Sequence, residues 1–325
     1  METLHATAFW APFVAFAVAV SGTALLRSRW AAGLALDHPN KRSLHSRPVP
    51  RTGGICVVVG ILGANLMTSA FAFLFWCVVP LALVSLLDDC KGLPAAMRLL
   101  VHLMVAAVFS AVWTGLPFPW WGAVAVAVAW MANLYNFMDG SDGLAGGMAV
   151  IGFSAYGAAA WIHGDPALAQ FALCVAAAAA GFLVFNFPPA SIFLGDAGAV
   201  PLGFLAGALG VLGAVRDVWT WWFPLVVFAP FVVDATVTLM RRVLRREKVW
   251  QAHRDHYYQR LVRMGWTHRR TALAEYGLMS FCGLAAVLGS GLGGFGQSGI
   301  LAVIATTIVS LMWRVDTRWA KAGSQ

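Results

Sequence analysis

Two groups of carboxylates stand at the ends of long apolar stretches, where ionised side chains are costly. Asp88 and Asp89 are adjacent in SLLDDCKG, and Asp139 and Asp142 lie three residues apart in NLYNFMDGSDGLAGG. Acids placed at the edge of a membrane helix usually serve a function. Two like charges at a helix C-terminus also oppose the helix dipole, so a positive partner is expected. The options are a divalent cation, proton exchange with an acidic substrate, or a structural partner such as Lys91.

A further acid, Asp196 in IFLGDAGAV, follows a helix that the Pro-Pro pair at 188–189 should stop. Two interpretations stay open, because an acid before a helix is a common N-cap and divalent metals also prefer carboxylate oxygens. The same choice applies to Asp142, and Ser141 is an equally suitable cap. Capping does not account for the second acid at Asp139.

The first basic loop, LDHPNKRSLHSRPVPRTGG, supplies cations that suit an anionic substrate. Arg47 and Arg51 can pair with phosphate oxygens, and Gly53 and Gly54 allow backbone N–H groups at the start of the next helix to approach a phosphate. The alternative is an anchor whose positive charge keeps the loop in the cytoplasm.

The segment QAHRDHYYQRL places His253 and His256 in an H-x-x-H spacing with Arg254 between them. Zinc would need further His or Cys ligands, and none is near in the sequence, so a loop that holds a phosphate or a sugar is favoured. Upstream, Asp234 and Arg241 lie seven residues apart on one helical face, which predicts a structural tether.

Composition excludes an ordinary soluble domain, because 60% of the 325 residues are hydrophobic and 11% are charged. The chain is predicted to be an all-α polytopic integral membrane protein with one membrane domain over residues 1–325. About eleven apolar stretches are long enough to cross a bilayer. They fall near 8–26, 53–69, 71–87, 98–114, 120–136, 146–162, 167–186, 198–214, 220–240, 271–290 and 297–313. The stretch at 220–240 contains Pro224 and Pro230 and should kink.

Charge predicts the orientation, since Lys and Arg in short loops stay in the cytoplasm. With the N-terminus outside and the C-terminus inside, every basic residue except Arg216 falls in a cytoplasmic segment or an adjoining helix end. The cytoplasmic loops are then 27–52, 88–97, 137–145, 187–197 and 241–270. The basic residues are spread over several loops, so nucleic acid is not an expected partner.

Five cysteines without a C-x-x-C pair predict neither disulfides nor a thiolate metal site.

Six motifs in order resemble the polyprenyl-phosphate N-acetylhexosamine-1-phosphate transferases, relatives of the phospho-MurNAc-pentapeptide translocase. The motifs are DHPNKRSLHSRPVPRTGG, LLDDCKG, NLYNFMDGSDGLAGG, FNFPPASIFLGDAG, FVVDATVTLMRR and HRDHYYQRL. The resemblance implies transfer of a sugar 1-phosphate from a UDP-N-acetylated sugar to undecaprenyl phosphate, with release of UMP. It also implies the bacterial inner (cytoplasmic) membrane as the location and Mg²⁺ as cofactor, with Mn²⁺ as the alternative, and leaves a homodimer open.

The resemblance also assigns roles to residues of this chain. Asp88 matches the acid that is the proposed base in the family. Asp89 matches the second acid of that pair, and it is also a possible metal ligand. Asp196 falls on the magnesium ligand. The motif that lines the nucleotide and metal site is matched by Asn136, Asp139 and Asp142. Asn186 and Phe193 match positions near the uridine. His256 matches the first histidine of a His-rich loop. With Arg47, Arg51, His253 and Arg254, these are the predicted site residues.

The chain departs from the family pattern at Tyr258 and Gln259, where many members have His-His. This resembles the branch that starts O-antigen or similar polysaccharides more than the peptidoglycan branch, which remains the alternative. Direct attack and an enzyme-linked intermediate on an aspartate both stay open. A secondary transporter is the competing class, but transporters place their sites near the bilayer midplane and these acids gather at one interface.

Overall fold

The computed structural model describes residues 2–28, 35–37, 39, 48–68, 70–248, 251 and 253–323. This part of the chain is almost entirely helical. The helices are α1 Glu2–Leu26, α2 Gly53–Thr68, α3 Phe73–Lys91, α4 Ala95–Trp113, α5 Trp120–Phe137, α6 Leu144–Ile162, α7 Pro166–Asn186, α8 Asp196–Val215, α9 Trp222–Val227, α10 Ala229–Leu244, α11 Tyr257–Arg263, α12 His268–Ser290 and α13 Gly294–Gly323. Two short antiparallel strands, β1 Leu36–Asp37 and β2 Val49–Pro50, precede α2.

Membrane-crossing helices account for most of the described chain. Eight helices (α1, α3, α4, α6, α7, α8, α12 and α13) are long and apolar enough to cross a bilayer, which confirms an all-α polytopic membrane protein. The other three predicted stretches coincide with α2, α5 and the α9–α10 pair, so the count of eleven stays a prediction.

The kink predicted at 220–240 is found as a break, because one residue between the two prolines divides the segment into two helices. Phe228 ends α9 and also precedes α10, whose first turn contains Pro230. Proline lacks an N–H to continue the helical ladder, so it is accommodated at a helix start. Pro224 lies inside the short α9.

Helix α8 is the centre of the bundle. In an 18-residue apolar stretch of α8, 83% of the residues are buried, whereas the corresponding value for α13, at the periphery, is 11%. A helix that is apolar all round is expected to be enclosed by other helices. Because α8 begins at Asp196, the central helix carries one of the predicted site residues at its first position.

Helix α2 approaches α8 so closely that only glycine fits between them. A β-carbon at Gly54 would meet the backbone of Gly198 and the carbonyl of Leu194. This contact fixes the start of α2 against the loop that leads into α8, and that loop carries Phe193.

The five loops predicted to share one side of the membrane do meet at one end of the bundle. Hydrogen bonds and ion pairs join the segments 50–54, 88–93, 137–143, 186–197 and 255–259 to one another. The opposite end is tied separately, by Arg216 on Asp165, His163 on Ser290 and Trp222 on Gln297. The predicted site residues that the structure describes therefore belong to one end.

Candidate active site

Asp88 and Asp196 share a single guanidinium. The Nη1 atom of Arg98, from the first turn of α4, lies 2.7 Å from Asp88 Oδ2 and 3.3 Å from Asp196 Oδ2. The two carboxylates come from the end of α3 and the start of α8, and their side chains are 10% and 17% exposed. The predicted positive partner of the acid pair is thus confirmed, and it is supplied from a neighbouring helix.

Asp89 faces a different set of donors from its neighbour. Its carboxylate lies 3.2 Å from Nε of Arg51 and accepts hydrogen bonds from the backbone N–H groups of Asp196 and Ala197. The side chain of Asp89 is fully buried. The two adjacent acids therefore serve different contacts, although both reach the start of α8.

Asp139 lies in the loop after α5. Together with Asp88, Asp89 and Asp196 it forms a group of carboxylates that we call the acidic cluster. The backbone N–H of Gly195 hydrogen-bonds to its carboxylate. Burial, followed by repulsion from Asp196 and Asp89, raises the pKa of the Asp139 carboxyl well above its usual range. Burial also disfavours the charge of Arg51, but the surrounding carboxylates, Asp89 foremost, outweigh it and raise the pKa of Arg51.

The backbone at the start of α2 is not open to a phosphate, which corrects one expectation. The N–H of Gly53 donates to the carbonyl of Phe193 at 3.0 Å, and the N–H of Gly54 donates to Leu194 at 2.8 Å. The N–H of Phe193 in turn donates to Pro50 at 2.7 Å. These N–H groups bind the loop before α8, so they position that loop and cannot also hold an anion.

Asp142 and Asn186 join the loop after α5 to the loop after α7. The Asp142 Oδ2 atom accepts a hydrogen bond from Ala190 N at 3.0 Å. The buried amide of Asn186 accepts from Gly143 N and donates to the carbonyl of Ile192, both at 2.9 Å. Both side chains therefore set the relative position of two loops that line the acidic cluster.

The two N-cap interpretations are wrong. The residues that precede α6 and α8 are Gly143 and Gly195, and neither helix start is capped by a side chain at its N-cap position. The Asp142 carboxylate binds Ala190 in the loop after α7, and the Ser141 hydroxyl lies 2.9 Å from Nδ1 of His268, the first residue of α12. Asp196 is the first residue of its helix, so its carboxylate remains directed at the acidic cluster.

His256 is held by a buried aspartate. Its Nδ1 lies 3.1 Å from Asp234 Oδ1, and the two side chains are 3% and 8% exposed. Asp234 also accepts from the backbone N–H of Tyr257 at 3.0 Å and from the hydroxyl of Thr238 at 3.1 Å. The predicted tether between Asp234 and Arg241 is therefore wrong. Asp234 instead binds the segment that carries His253 and His256, which we call the histidine loop.

Arg241 pairs with the last helix instead. It makes a two-pronged contact with Asp316 of α13, at 3.0 and 2.8 Å. Arg260 lies 2.8 Å from the same carboxylate, and the Tyr257 hydroxyl donates to it at 3.0 Å. We call these four residues the Asp316 cluster; it joins α10, α11 and α13.

Tyr258 connects the histidine loop to the acidic cluster. Its fully buried ring is stacked near that of His256, and its hydroxyl donates to the carbonyl of Phe137 at 3.2 Å. A β-carbon at Gly140 would collide with that hydroxyl, so glycine is required in the loop beside Asp139. The residue at which the chain departs from its expected pattern is thus part of the site's framework.

Comparison with known proteins agrees with this arrangement. A family model described as glycosyl transferase family 4 matches residues 71–214, which contain Asp88, Asp89, Asp139 and Asp196. A probable undecaprenyl-phosphate N-acetylglucosaminyl 1-phosphate transferase of Bacillus subtilis is 29% identical over 265 residues, which cover 74% of each chain. The chain is thus similar to glycosyl transferase family 4 over the segment that carries these acids.

Two further relatives are similarly distant. A decaprenyl-phosphate N-acetylglucosaminephosphotransferase of Mycobacterium tuberculosis is 29% identical over 303 residues, 76% of this chain and 74% of that protein. A phospho-N-acetylmuramoyl-pentapeptide-transferase of a Geobacillus species is 29% identical over 261 residues, 69% of this chain and 78% of that protein. Both sugar branches of the family are therefore represented among the relatives.

The remaining predicted site residues lie around the acidic cluster. Asn136 and Phe193 are half-buried, and each lies in one of the two joined loops or at its edge. His253 packs against the ring of His256 with centroids 4.9 Å apart, and Arg254 is half-buried beside it. Arg47 lies outside the described residues.

The acids of the cluster fit a hard divalent cation by their chemistry. Asp88 and Asp196 already share one positive group, Arg98, so this point stabilises positive charge. Among the described residues, no group of three His, Cys, Asp or Glu side chains forms a ready-made metal site. Mg²⁺ ordinarily takes one or two carboxylates and completes its shell with water and substrate phosphates, so a pair of acids suits it.

The sequence analysis missed three residues of the site. Arg98 had been counted only as a basic residue near a helix end, and neither Asp316 nor His268, whose Nδ1 lies 2.9 Å from the Ser141 hydroxyl, had an assigned role. Arg98 could have been found, because only a short loop separates α3 from α4 and returns the first turn of α4 to the acid pair. Asp316 had no such local signal.

Proposed function

We propose that this protein transfers an N-acetylhexosamine 1-phosphate from a UDP-sugar to undecaprenyl phosphate and releases UMP. The observation that carries the proposal is the cluster of Asp88, Asp89, Asp139 and Asp196 with Arg51 and Arg98, placed at one end of a bundle of membrane helices. Acids that stabilise cations, beside arginines that stabilise anions, suit a charged diphosphate donor. The relatives named above as undecaprenyl-phosphate and decaprenyl-phosphate transferases support a polyprenyl phosphate as the acceptor.

The proposed reaction is an in-line displacement at the phosphorus that bears the sugar. An oxygen of the lipid phosphate forms the new bond to that phosphorus, and the bond to the bridging oxygen breaks so that UMP leaves. Asp88 is the proposed base, because its carboxylate is partly exposed and lies beside that of Asp196, where Arg98 and the backbone N–H of Leu93 hold it in place. Arg98 and Arg51 are placed to lower the repulsion between the two anionic substrates.

A divalent cation suits this reaction. Mg²⁺, with Mn²⁺ as the alternative, would be held by Asp196 together with Asp88 or Asp139, and when bound it would neutralise the diphosphate. His256, fixed by Asp234, is proposed to contact the phosphate or the sugar from the other side of the site. The site is proposed to face the cytoplasm, since the surrounding loops carry the basic residues.

The specific pathway is the finer part of the proposal. We assign the chain to the branch that starts O-antigen or a related cell-envelope polysaccharide, since Tyr258 and Gln259 replace the histidine pair common in the family. The Tyr258 hydroxyl is already bonded to Phe137, so it is not free to act as a histidine would. Transfer of phospho-MurNAc-pentapeptide is the second candidate, since one relative carries that name.

The test is UMP release by the purified protein in lipid nanodiscs. Undecaprenyl phosphate and Mg²⁺ are supplied with UDP-N-acetylglucosamine, UDP-N-acetylgalactosamine or UDP-MurNAc-pentapeptide, and D88N serves as the inactive control. We expect UMP and a lipid-linked sugar with one of the first two donors only. Turnover with the pentapeptide donor alone would reverse the branch assignment. No UMP with any donor, together with solute uptake by proteoliposomes, would overturn the proposed reaction in favour of a transporter.

A further inference from the structure

We infer that Asp89 is a positioning residue that caps α8 from α3 and thereby places Asp196, and that it is neither a base nor a metal ligand. The inference rests on the proposed function only for the importance of Asp196. It changes the role expected for the second acid of the pair.

The contacts of Asp89 leave little capacity for a ligand. Its carboxylate lies 3.2 Å from Arg51 Nε, 3.2 Å from Ala197 N and 3.4 Å from Asp196 N. A carboxylate offers about four acceptor positions, so three of them face donors of the protein itself. The side chain is 0% exposed, whereas those of Asp88 and Asp196 are 10% and 17% exposed. Of these three acids, Asp89 alone has no surface toward a substrate.

Helix α8 needs a cap that its own sequence does not provide. The first N–H groups of a helix have no partner within the helix, and its N-terminus carries partial positive charge. Gly195 occupies the N-cap position and has no side chain. Asp89 supplies the missing carboxylate from another helix, and its negative charge suits the dipole of α8.

The surrounding backbone leaves no gap in which an ion could sit between Asp89 and α8. A β-carbon at Gly195 would lie 2.9 Å from Asp89 Oδ2 and would also meet the carbonyl of Arg51. The φ angle of Gly195 is 73°, in the left-handed region that favours glycine. Glycine therefore lets the chain turn into α8 directly against the carboxylate.

The cap determines where Asp196 points. The backbone N–H of Asp196 is bound to Asp89, while its own carboxylate faces Arg98 on the side of Asp88. Loss of the cap would free the first turn of the central helix and with it the carboxylate that is proposed to hold the metal. The effect of Asp89 on the reaction is thus transmitted through Asp196.

Two measurements on the full chain in nanodiscs, without substrate, test this assignment. Hydrogen exchange of peptides covering 195–200 reports the cap, and Mn²⁺ binding followed by electron paramagnetic resonance reports the metal ligands. In D89N we expect at least tenfold faster exchange of the amides of Asp196 and Ala197, with Mn²⁺ bound more weakly but not lost. In D196N we expect the reverse, loss of Mn²⁺ binding with exchange near the wild-type rate. D88N is the matched control for a neighbouring lost charge and should not accelerate exchange in this peptide.

A graded series guards against a variant that does not fold. Asn at position 89 keeps one acceptor oxygen, and D89A removes both, so exchange should rise from wild type to D89N to D89A. D89N alone decides the question if D89A is not recovered. Loss of Mn²⁺ binding in D89N with wild-type exchange at 195–200 would overturn the inference and make Asp89 a ligand. Failure to release UMP would count against the proposed reaction, but exchange and metal binding would still decide the role of Asp89.

Discussion

Replacement of Asp234 by asparagine tests how the histidine loop is held. The carboxylate accepts four hydrogen bonds, from His256 Nδ1 at 3.1 Å, Tyr257 N at 3.0 Å, Thr238 Oγ1 at 3.1 Å and Tyr258 N at 3.3 Å. In D234N one oxygen remains, and the new amide N–H₂ faces donors. Oδ1 accepts three of these bonds and Oδ2 accepts the one from Tyr258 N, so an amide oxygen in the place of Oδ1 keeps three bonds without the charge and loses one. A hydrogen bond to a charged group contributes about 1.5–3 kcal/mol and a neutral one about 1 kcal/mol, so the lost bond and the weakened bond to His256 together cost about 2–5 kcal/mol locally.

The expected result is a fall in kcat of about a hundredfold, because about 1.4 kcal/mol in the barrier is a factor of ten and part of the local cost falls on His256. The assay is UMP release at saturating substrates. T238V is the matched control, since it removes one bond to the same carboxylate but keeps its charge and its bonds to His256, Tyr257 and Tyr258, and it should lower kcat less than tenfold. A D234N protein that is folded and within threefold of wild type would refute the positioning of His256 by Asp234.

Three further predictions concern packing, charge and pH. G54A should lower the melting temperature strongly, because its β-carbon meets the backbone of Gly198, whereas G63A in the same helix has open space and should match or exceed the wild-type melting temperature. R98Q should reduce kcat for UMP release at least tenfold, since two carboxylates lose their shared cation, while the exposed K91Q stays within twofold. Burial above all lowers the pKa of His253 to about 4, below its unfolded value of about 6.5. The folded state therefore binds fewer protons, and thermal unfolding should show stability lost as the pH falls from about 6.5 to 4, less steeply in H253Q. Equal pH slopes for both proteins would contradict this.

The helices and their common side were accessible from sequence because both depend on local composition. Continuous apolar stretches mark membrane helices wherever they occur, and each of the eleven predicted stretches coincides with helix, apart from the break at Phe228. Alternation of the loops then places Asp88, Asp139 and Asp196 at one end, where the structure finds them. The sequence could not show that two helices replace one at 220–240, since proline is compatible with both a kink and a helix start.

The partners of the site residues were harder to predict, because they come from distant parts of the chain. A capping interpretation of Asp196 is reasonable from its position, yet the cap of α8 comes from Asp89, over a hundred residues earlier. A phosphate site at Gly53 is reasonable from composition, yet its N–H is bound to Phe193. Sequence patterns indicate which residues are unusual, whereas tertiary packing decides which neighbour each one meets.

The Asp316 cluster affects how the protein becomes active during synthesis. Asp316 follows every other described residue of the site in the chain, and it holds Tyr257 and Arg260, in the short helix that follows His256. A nascent chain that already has its acidic cluster and Asp234 in the membrane still lacks the carboxylate that binds Tyr257 and Arg260. The short helix after His256 therefore gains these contacts only when α13 docks, so this part of the site is the last to be completed.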